Sequence, residues 1–111
     1  MQMRKAEVYM HQIPAGELIE DENGYTFFYN KEYLSNNELP PVSLTLPKNE
    51  TPYRDKNLFP FFDGLIPEGW LLEIAQKNWK MNPRDRMGLL LTCCQDCIGA
   101  VKIIDKSIKN E

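Results

Sequence analysis

The sequence predicts an α+β fold in which two helices pack against a small, mainly antiparallel β-sheet. Three observations support this class. Strand and turn signals fill the first half of the chain, helical spacing follows between residues 67 and 94, and a short β-branched segment comes after it. Strands and helices that occupy separate parts of a chain are typical of α+β proteins, whereas a parallel sheet needs them to alternate.

The first strands are predicted from alternation and from turn residues. Apolar and polar residues alternate between residues 7 and 20, and Pro14-Ala15-Gly16 interrupts them, which predicts two strand pieces joined by a turn. His11 is then a strand residue. Asn23-Gly24 is the strongest short hairpin signal, and the aromatic, β-branched segment 25–29 after it predicts another strand.

A further strand is predicted at residues 42–46, where apolar residues alternate strictly with hydroxylated ones before Pro47. Such alternation is typical of a half-buried strand with one apolar face. The polar segment 48–56 contains Asn-Glu-Thr-Pro and predicts a loop that separates the strands from the helices.

Two helices and a closing strand are predicted next. The first helix begins near Pro67, and its apolar stripe includes Leu71, Ile74 and Ala75. For the second helix, Asn82 is the expected N-cap, Pro83 the first helical residue and Asp85 an acid in the first turn. Its helical spacing is kept by Met87, Leu90, Leu91 and Cys94. Gly99 can end this helix, and residues 100–104 have the composition of a strand.

Length and charge limit the classes of function. The chain has 111 residues, of which 42% are hydrophobic and 26% charged, so we expect one ordered domain with a core at about 7–104 and a polar tail at 105–111. A net charge of −3 argues against direct nucleic-acid binding. No apolar run approaches the roughly 20 residues of a membrane span, and no secretory signal is evident. We expect a cytoplasmic protein that does not bind membranes.

The cysteines and the single histidine offer one chemical alternative. Cys93, Cys94 and Cys97 crowd into five positions, and with His11 they would supply four metal ligands. Structural zinc sites usually join two separated ligand pairs, and a redox C-x-x-C should follow a strand instead of ending a helix. Thiols that pack as small apolar groups are therefore the favoured interpretation. No nucleotide-binding loop is present, and we predict no catalytic residue, metal or cofactor.

An aromatic segment, residues 58–70, packs three Phe, one Trp, two Pro and two Gly into thirteen positions. Burial in the core is the favoured explanation for the Phe residues, and Asp63 with Gly64 predicts a turn. Trp70 lies near the start of the first predicted helix. Core packing and contact with a partner are equally plausible for its side chain.

Three blocks of the sequence resemble the small N-terminal subdomain of HipA-type serine/threonine kinases, which belong to bacterial toxin–antitoxin systems. These blocks are PVSLTLP at 41–47, FFDGLIPEG at 61–69 and DCIGAV at 96–101. The resemblance runs from about Glu7 to Ile104 and departs at Gly64, where the family usually has Asn. Because the chain ends soon after the third block, the resemblance implies that the catalytic kinase core is missing and that the protein is not an enzyme.

A free-standing copy of this subdomain is similar to the HipS-like small antitoxins of three-gene systems. The resemblance implies binding and inhibition of a separate HipA-like (HipT-type) serine/threonine kinase, with a helix-turn-helix DNA-binding HipB-like protein in the same complex. From their position in the aromatic segment, the predicted contact residues are Phe61, Phe62, Asp63, Leu65, Pro67, Glu68, Gly69 and Trp70. Trp70 is the leading predicted contact. We expect Pro67, Glu68 and Gly69 to set the turn that aims it and Asp63 to cap or orient the same turn. The alternative is a non-inhibitory structural lobe that completes the kinase or bridges it to the DNA-binding protein.

Overall fold

The computed structural model describes residues 3–66, 85–93 and 101–106. Their elements, in chain order, are β1 (Arg4–Met10), β2 (Ile13–Asp21), β3 (Gly24–Tyr29), α1 (Lys31–Ser35), β4 (Tyr53–Asp55), α2 (Pro60–Asp63), α3 (Arg86–Cys93) and β5 (Val101–Asp105). The helix predicted to begin near Pro67 lies outside the described residues.

The strands form a five-stranded antiparallel sheet in the order β4-β3-β2-β1-β5, counted over the described residues. Strand β1 lies between β2 and β5, so that Ala6 is paired with Leu18 on one side and with Asp105 on the other. The predicted α+β class with an antiparallel sheet is confirmed, and so is the closing strand. All sheet neighbours except β1 and β5 are consecutive strands along the chain, and the short β1–β2 and β2–β3 connections are hairpins, which require antiparallel pairing.

The first hairpin turns earlier than the sequence predicts. Its turn is at His11 and Gln12, whose φ angles are 50° and 69°, and β2 runs straight through residues 14–16. The prediction of a turn at Pro14 was therefore wrong, as was the placement of His11 in a strand. Positive φ at both central residues matches the strand twist of a two-residue hairpin. Asn and Gly are the usual residues there, and because neither occurs at this turn, the sequence gives no signal for it. Pro14 is accommodated where the pairing register shifts, next to the break between Val8 and Tyr9.

The second hairpin is confirmed. The chain turns at Glu22 and Asn23, and the backbone N–H of Asn23 donates to Oδ1 of Asp21 at 2.8 Å. Gly24 has a φ of 130°, a conformation that residues with a Cβ rarely adopt. The Asn-Gly signal placed this turn correctly because the positive φ at position 24 favours a glycine.

Residues 42–46 do not form the predicted strand. They make a tight turn closed by a single bridge between Ser43 and Leu46, with the N–H of Leu46 donating to the carbonyl oxygen of Ser43 at 3.1 Å. Val42 and Leu46 are buried, whereas Leu44 is 93% exposed. The alternation therefore reflects two buried ends and an outward tip, not one apolar face of a strand.

Besides α2, two short elements occur where the sequence predicts none. Strand β4 lies within the predicted polar loop and pairs with β3 at the sheet edge, with Arg54 opposite Thr26. Helix α1 covers five residues and buries Tyr33. Both elements are too short and too polar to show a hydrophobic period in the sequence. Their conformation depends on contacts with the sheet beside them.

The core lies between one face of the sheet and the helices. Strands β1, β2, β3 and β5 contribute fully buried Val8, Leu18, Phe27 and Ile103, and the helices contribute Phe62, Met87, Leu89 and Leu90. Burial of the predicted apolar positions Met87, Leu90 and Leu91 confirms the second predicted helix. Within the described ranges no helix has the length and apolar character needed to cross a bilayer.

Candidate partner-binding surface

The described part of the aromatic segment, residues 58–66, forms a compact turn that we call the aromatic turn. It contains α2, which begins at Pro60, a favourable first helical residue because its φ is fixed and no N–H is lost. The N–H of Asp63 donates to the carbonyl oxygen of Phe59 at 3.0 Å, and that of Ile66 donates to Asp63 at 3.2 Å. The turn predicted at Asp63-Gly64 is present directly after α2. Backbone hydrogen bonds from four successive residues, 63–66, thus hold the turn together.

Phe62 is the centre of the aromatic turn. Its side chain is 0% exposed, and its ring centroid lies 5.1 Å from that of Phe61, 6.2 Å from Phe59 and 5.3 Å from Phe27 in β3. Edge-to-face rings at these distances stabilise a core beyond their buried area. The ring of Phe62 faces the sheet, as core burial predicts, so its side chain is not available as the predicted partner contact. Phe61 and Leu65 are only partly buried and remain accessible to a partner.

Asp63 is held by Arg86 at the start of α3. Arg86 Nε donates to Oδ1 of Asp63 at 2.5 Å, and Nη2 donates to Oδ2 at 3.3 Å. This hydrogen bonding raises the pKa of Arg86. The two-pronged contact fixes α2 relative to α3 and gives Asp63 a physical means of orienting the aromatic turn. Sequence reasoning missed Arg86, since nothing local pairs residues so far apart.

A second ion-pair network holds the beginning of α3 to the sheet. Arg4 in β1 donates to both carboxylate oxygens of Asp85, at 3.0 and 2.7 Å, and to Oε1 of Glu20 at 2.5 Å. The Tyr25 hydroxyl donates to the other oxygen of Glu20 at 3.0 Å. Glu20 is buried but doubly bonded, as a buried carboxylate must be. Burial, helped by the Glu20 contact, raises the pKa of Tyr25 to about 12.

Asp85 is the N-cap of α3, not a residue of its first turn. Its Oδ1 accepts the backbone N–H of Gly88 at 3.1 Å, and α3 begins at Arg86, so the predicted start at Pro83 was too early. The Arg4 guanidinium lowers the pKa of Asp85 through its hydrogen bonds, and the Gly88 N–H acts in the same direction. The cap therefore stays ionised and keeps Arg4 bound.

The remaining predicted site residues, Pro67, Glu68, Gly69 and Trp70, lie outside the described residues. So do Cys94 and Cys97, on which the metal and redox alternative depends. Among the residues that the structure describes, no three His, Cys, Asp or Glu side chains are grouped so that they could hold a metal ion.

Comparison with known proteins assigns the fold. The solved N-terminal domain of HipA toxin matches with a TM-score of 0.76 and 28% sequence identity, over 96% of this chain and 95% of that chain. The fold is therefore that of a HipA N-terminal domain. The family model for the HipA N-terminal domain matches residues 6–104, and the chain belongs to this family. The resemblance carried by the three sequence blocks is confirmed.

Two relatives show this domain in proteins of different size. An uncharacterized protein of Haemophilus influenzae is 33% identical over 101 residues, which cover 91% of this chain and 92% of that protein. The candidate kinase Y4mE of Sinorhizobium fredii is 27% identical over 105 residues, which cover 94% of this chain but 25% of Y4mE. The domain thus occurs both as most of a protein and as one quarter of a longer one.

Proposed function

We propose that this protein is the antitoxin of a three-component toxin–antitoxin system, in which it binds and inhibits a separate HipA-like kinase of the HipT type. The observation that carries the proposal is the match of nearly the whole chain to the N-terminal domain of HipA toxin. The match to a quarter of Y4mE supports a kinase partner, because that protein joins the same domain to a longer chain. A HipB-like DNA-binding protein completes the complex.

The mechanism we infer is occlusion by a rigid projection. The aromatic turn is fixed on the core by Phe62 and on α3 by the contact between Asp63 and Arg86. It leads directly into the proposed contact residues, residues 67–70, while Phe61 and Leu65 form its accessible side. A rigid aromatic element loses little freedom on binding, so it is suited to enter the kinase cleft and prevent productive closure.

Co-expression tests this function. The HipT-type kinase encoded beside the gene is expressed alone, with this chain, and as a catalytically inactive variant with this chain, and growth and co-purification are measured. Restored growth together with a stable complex supports the antitoxin function. A stable complex without restored growth indicates the structural lobe that completes or bridges the kinase, and absence of any complex contradicts both.

Substitution of Trp70 by Ala provides the residue-level prediction. We expect Trp70→Ala to keep the circular dichroism spectrum of the wild type but to lose growth rescue, because an aromatic anchor at an interface contributes a large share of the binding free energy. Loss of the folded spectrum would instead assign Trp70 to the core and return the contact role to Phe61 and Leu65.

A further inference from the structure

Leu44 is the most exposed large apolar side chain among the described residues. It is 93% exposed, compared with 53% for Met3 and 40% for Ile13. It occupies the tip of the turn at residues 42–47, which we call the leucine turn. A single exposed leucine is common on protein surfaces, so exposure alone does not define a site. What distinguishes Leu44 is the way the turn beneath it is built.

The leucine turn is held rigidly on both sides of its tip. The buried Tyr29 hydroxyl accepts the N–H of Val42 at 3.1 Å and donates to the carbonyl oxygen of Leu46. Across the tip, Ser43 Oγ accepts the N–H of Thr45 at 3.1 Å and lies 2.9 Å from its hydroxyl. The backbone that carries Leu44 is thus ordered before any partner arrives, which reduces the entropy lost on binding.

The leucine turn and the aromatic turn rest on the same face of the sheet. The Tyr29 ring that anchors the leucine turn packs 5.0 Å from the ring of Phe27, and Phe27 packs 5.3 Å from Phe62. Both turns therefore lie on the helix-bearing side of the molecule. A partner that binds the aromatic turn is therefore on the side of the sheet that carries the leucine turn.

We propose that Leu44 is a second anchor, which inserts into an apolar pocket of the kinase; this rests on the proposed function. The pocket is lined by polar groups that meet the Ser43 and Thr45 hydroxyls around its rim. Y4mE supports a kinase as the occupant, because that candidate kinase contains the same domain within a longer chain.

Two other occupants fit the geometry less well. A second copy of the chain would need a self-complementary patch of roughly 800 Å² on each partner, and one convex side chain does not provide it. A membrane surface needs a broad apolar face or basic residues, whereas a single leucine on a chain of net charge −3 offers neither. A concave pocket on a protein partner accepts a single projecting leucine.

The test measures affinity for the HipT-type kinase by titration calorimetry with the full chain. We expect Leu44→Ser to weaken binding by about tenfold or more, as removal of an interface anchor does. Leu44→Met, which keeps the apolar volume, should stay close to wild type. Met3→Ser is the matched control, an exposed apolar residue outside both turns, and should bind as wild type. All three variants should keep the wild-type melting temperature.

The outcomes separate the anchor from the proposed function. If the wild type binds the kinase and Leu44→Ser binds it with the same affinity, Leu44 is not an anchor, and the antitoxin function is unaffected. Failure of the wild type to bind the kinase overturns both. If Leu44→Ser loses only self-association or vesicle binding while kinase affinity is unchanged, the occupant is a second copy or a lipid surface and the proposal is wrong.

Discussion

Tyr29 connects the sheet to the leucine turn through one hydroxyl group. The phenol oxygen is both acceptor and donor, since it binds the N–H of Val42 and the carbonyl oxygen of Leu46, two buried residues. Burial raises the pKa of Tyr29 to about 12. Removal of the hydroxyl leaves two buried backbone groups without this partner, and such groups have no water to replace it.

Tyr29→Phe should lower the free energy of unfolding by about 1–3 kcal/mol, the range found when buried polar groups lose their partner. Urea denaturation measures it. Tyr53→Phe is the matched control, because its hydroxyl donates to the Pro47 carbonyl oxygen at 2.6 Å in an exposed position where water can take over. Equal losses of unfolding free energy in the two variants would show that burial of the Tyr29 hydrogen bonds does not increase their contribution to stability.

At the scale of elements, the contact between Asp63 and Arg86 joins α2 to α3. The two side chains are 39% and 33% exposed, so solvent screens the pair and its net contribution to stability is small. The main effect of the pair is to fix the position of α2 relative to α3. The pair ties the aromatic turn to α3 in addition to the packing of Phe62 in the core.

Arg86→Gln should therefore leave the melting temperature nearly unchanged and weaken kinase binding by about fivefold, which corresponds to about 1 kcal/mol. Calorimetric titration and a thermal melt measure the two effects. Lys5→Gln removes an ion pair of similar exposure, 38% and 33%, with Glu17 on the opposite face of the sheet, and should change neither quantity. A large fall in the melting temperature of Arg86→Gln would assign the residue a structural role instead.

The N-cap of α3, Asp85, makes the free energy of unfolding depend on pH in the acid range. Arg4 keeps the pKa of Asp85 below its ordinary value of 3.8, so folding favours the ionised carboxylate. The stabilisation is complete above that value and is lost as the pH falls through the lower, folded-state pKa. We expect the wild type to lose stability below about pH 4 and Asp85→Asn to show a shallower decline from a lower starting value. Urea unfolding at several pH values measures both slopes, and an unchanged slope in Asp85→Asn would contradict the assignment.

For the whole molecule, tyrosine burial sets the alkaline limit. Burial raises the pKa of Tyr25 and of Tyr29 from 10.0 to about 12, and it also raises the pKa of Tyr33. Folding therefore favours the protonated phenols, and the associated stability is complete below pH 10 and is lost as the pH rises towards 12.

The free energy of unfolding should decline above about pH 10, where unfolded tyrosines ionise. The part of the tyrosinate absorbance that comes from Tyr25, Tyr29 and Tyr33 should appear at higher pH in the folded protein than in urea. The double variant Tyr25→Phe, Tyr29→Phe should decline less steeply than the wild type. Coincident absorbance curves for the folded and urea-unfolded wild type would refute this expectation.

Local signals predicted the parts of the fold whose cause is local. Asn23-Gly24 located the second hairpin, and helical spacing located α3 because a helix buries one regular stripe. The first turn was missed since His11 and Gln12 adopt positive φ without a residue that favours it. The alternation at 42–46 misled for a different reason, because two buried ends and an exposed tip produce the same pattern as a strand.

The sequence predicted which segment forms the candidate site but not how its side chains are arranged. The block at 61–69 identified the aromatic segment from the resemblance alone. Which of its rings faces inward depends on the sheet, and so Phe62 was placed wrongly among the contacts. Arg86 and Leu44 were not singled out at all, because an ion pair between α2 and α3 and a leucine at the tip of a turn are set by tertiary contacts.

The position of β1 between β2 and β5 has a consequence for synthesis on the ribosome. Nearly all of the sequence separates β1 from β5, so β1 leaves the exit tunnel early and keeps an open edge while translation continues. Loop closure over so many residues is slow compared with hairpin formation. The sheet is complete only after residue 105 has emerged. A nascent chain that stalls before Val101 lacks the strand that pairs with this edge of β1.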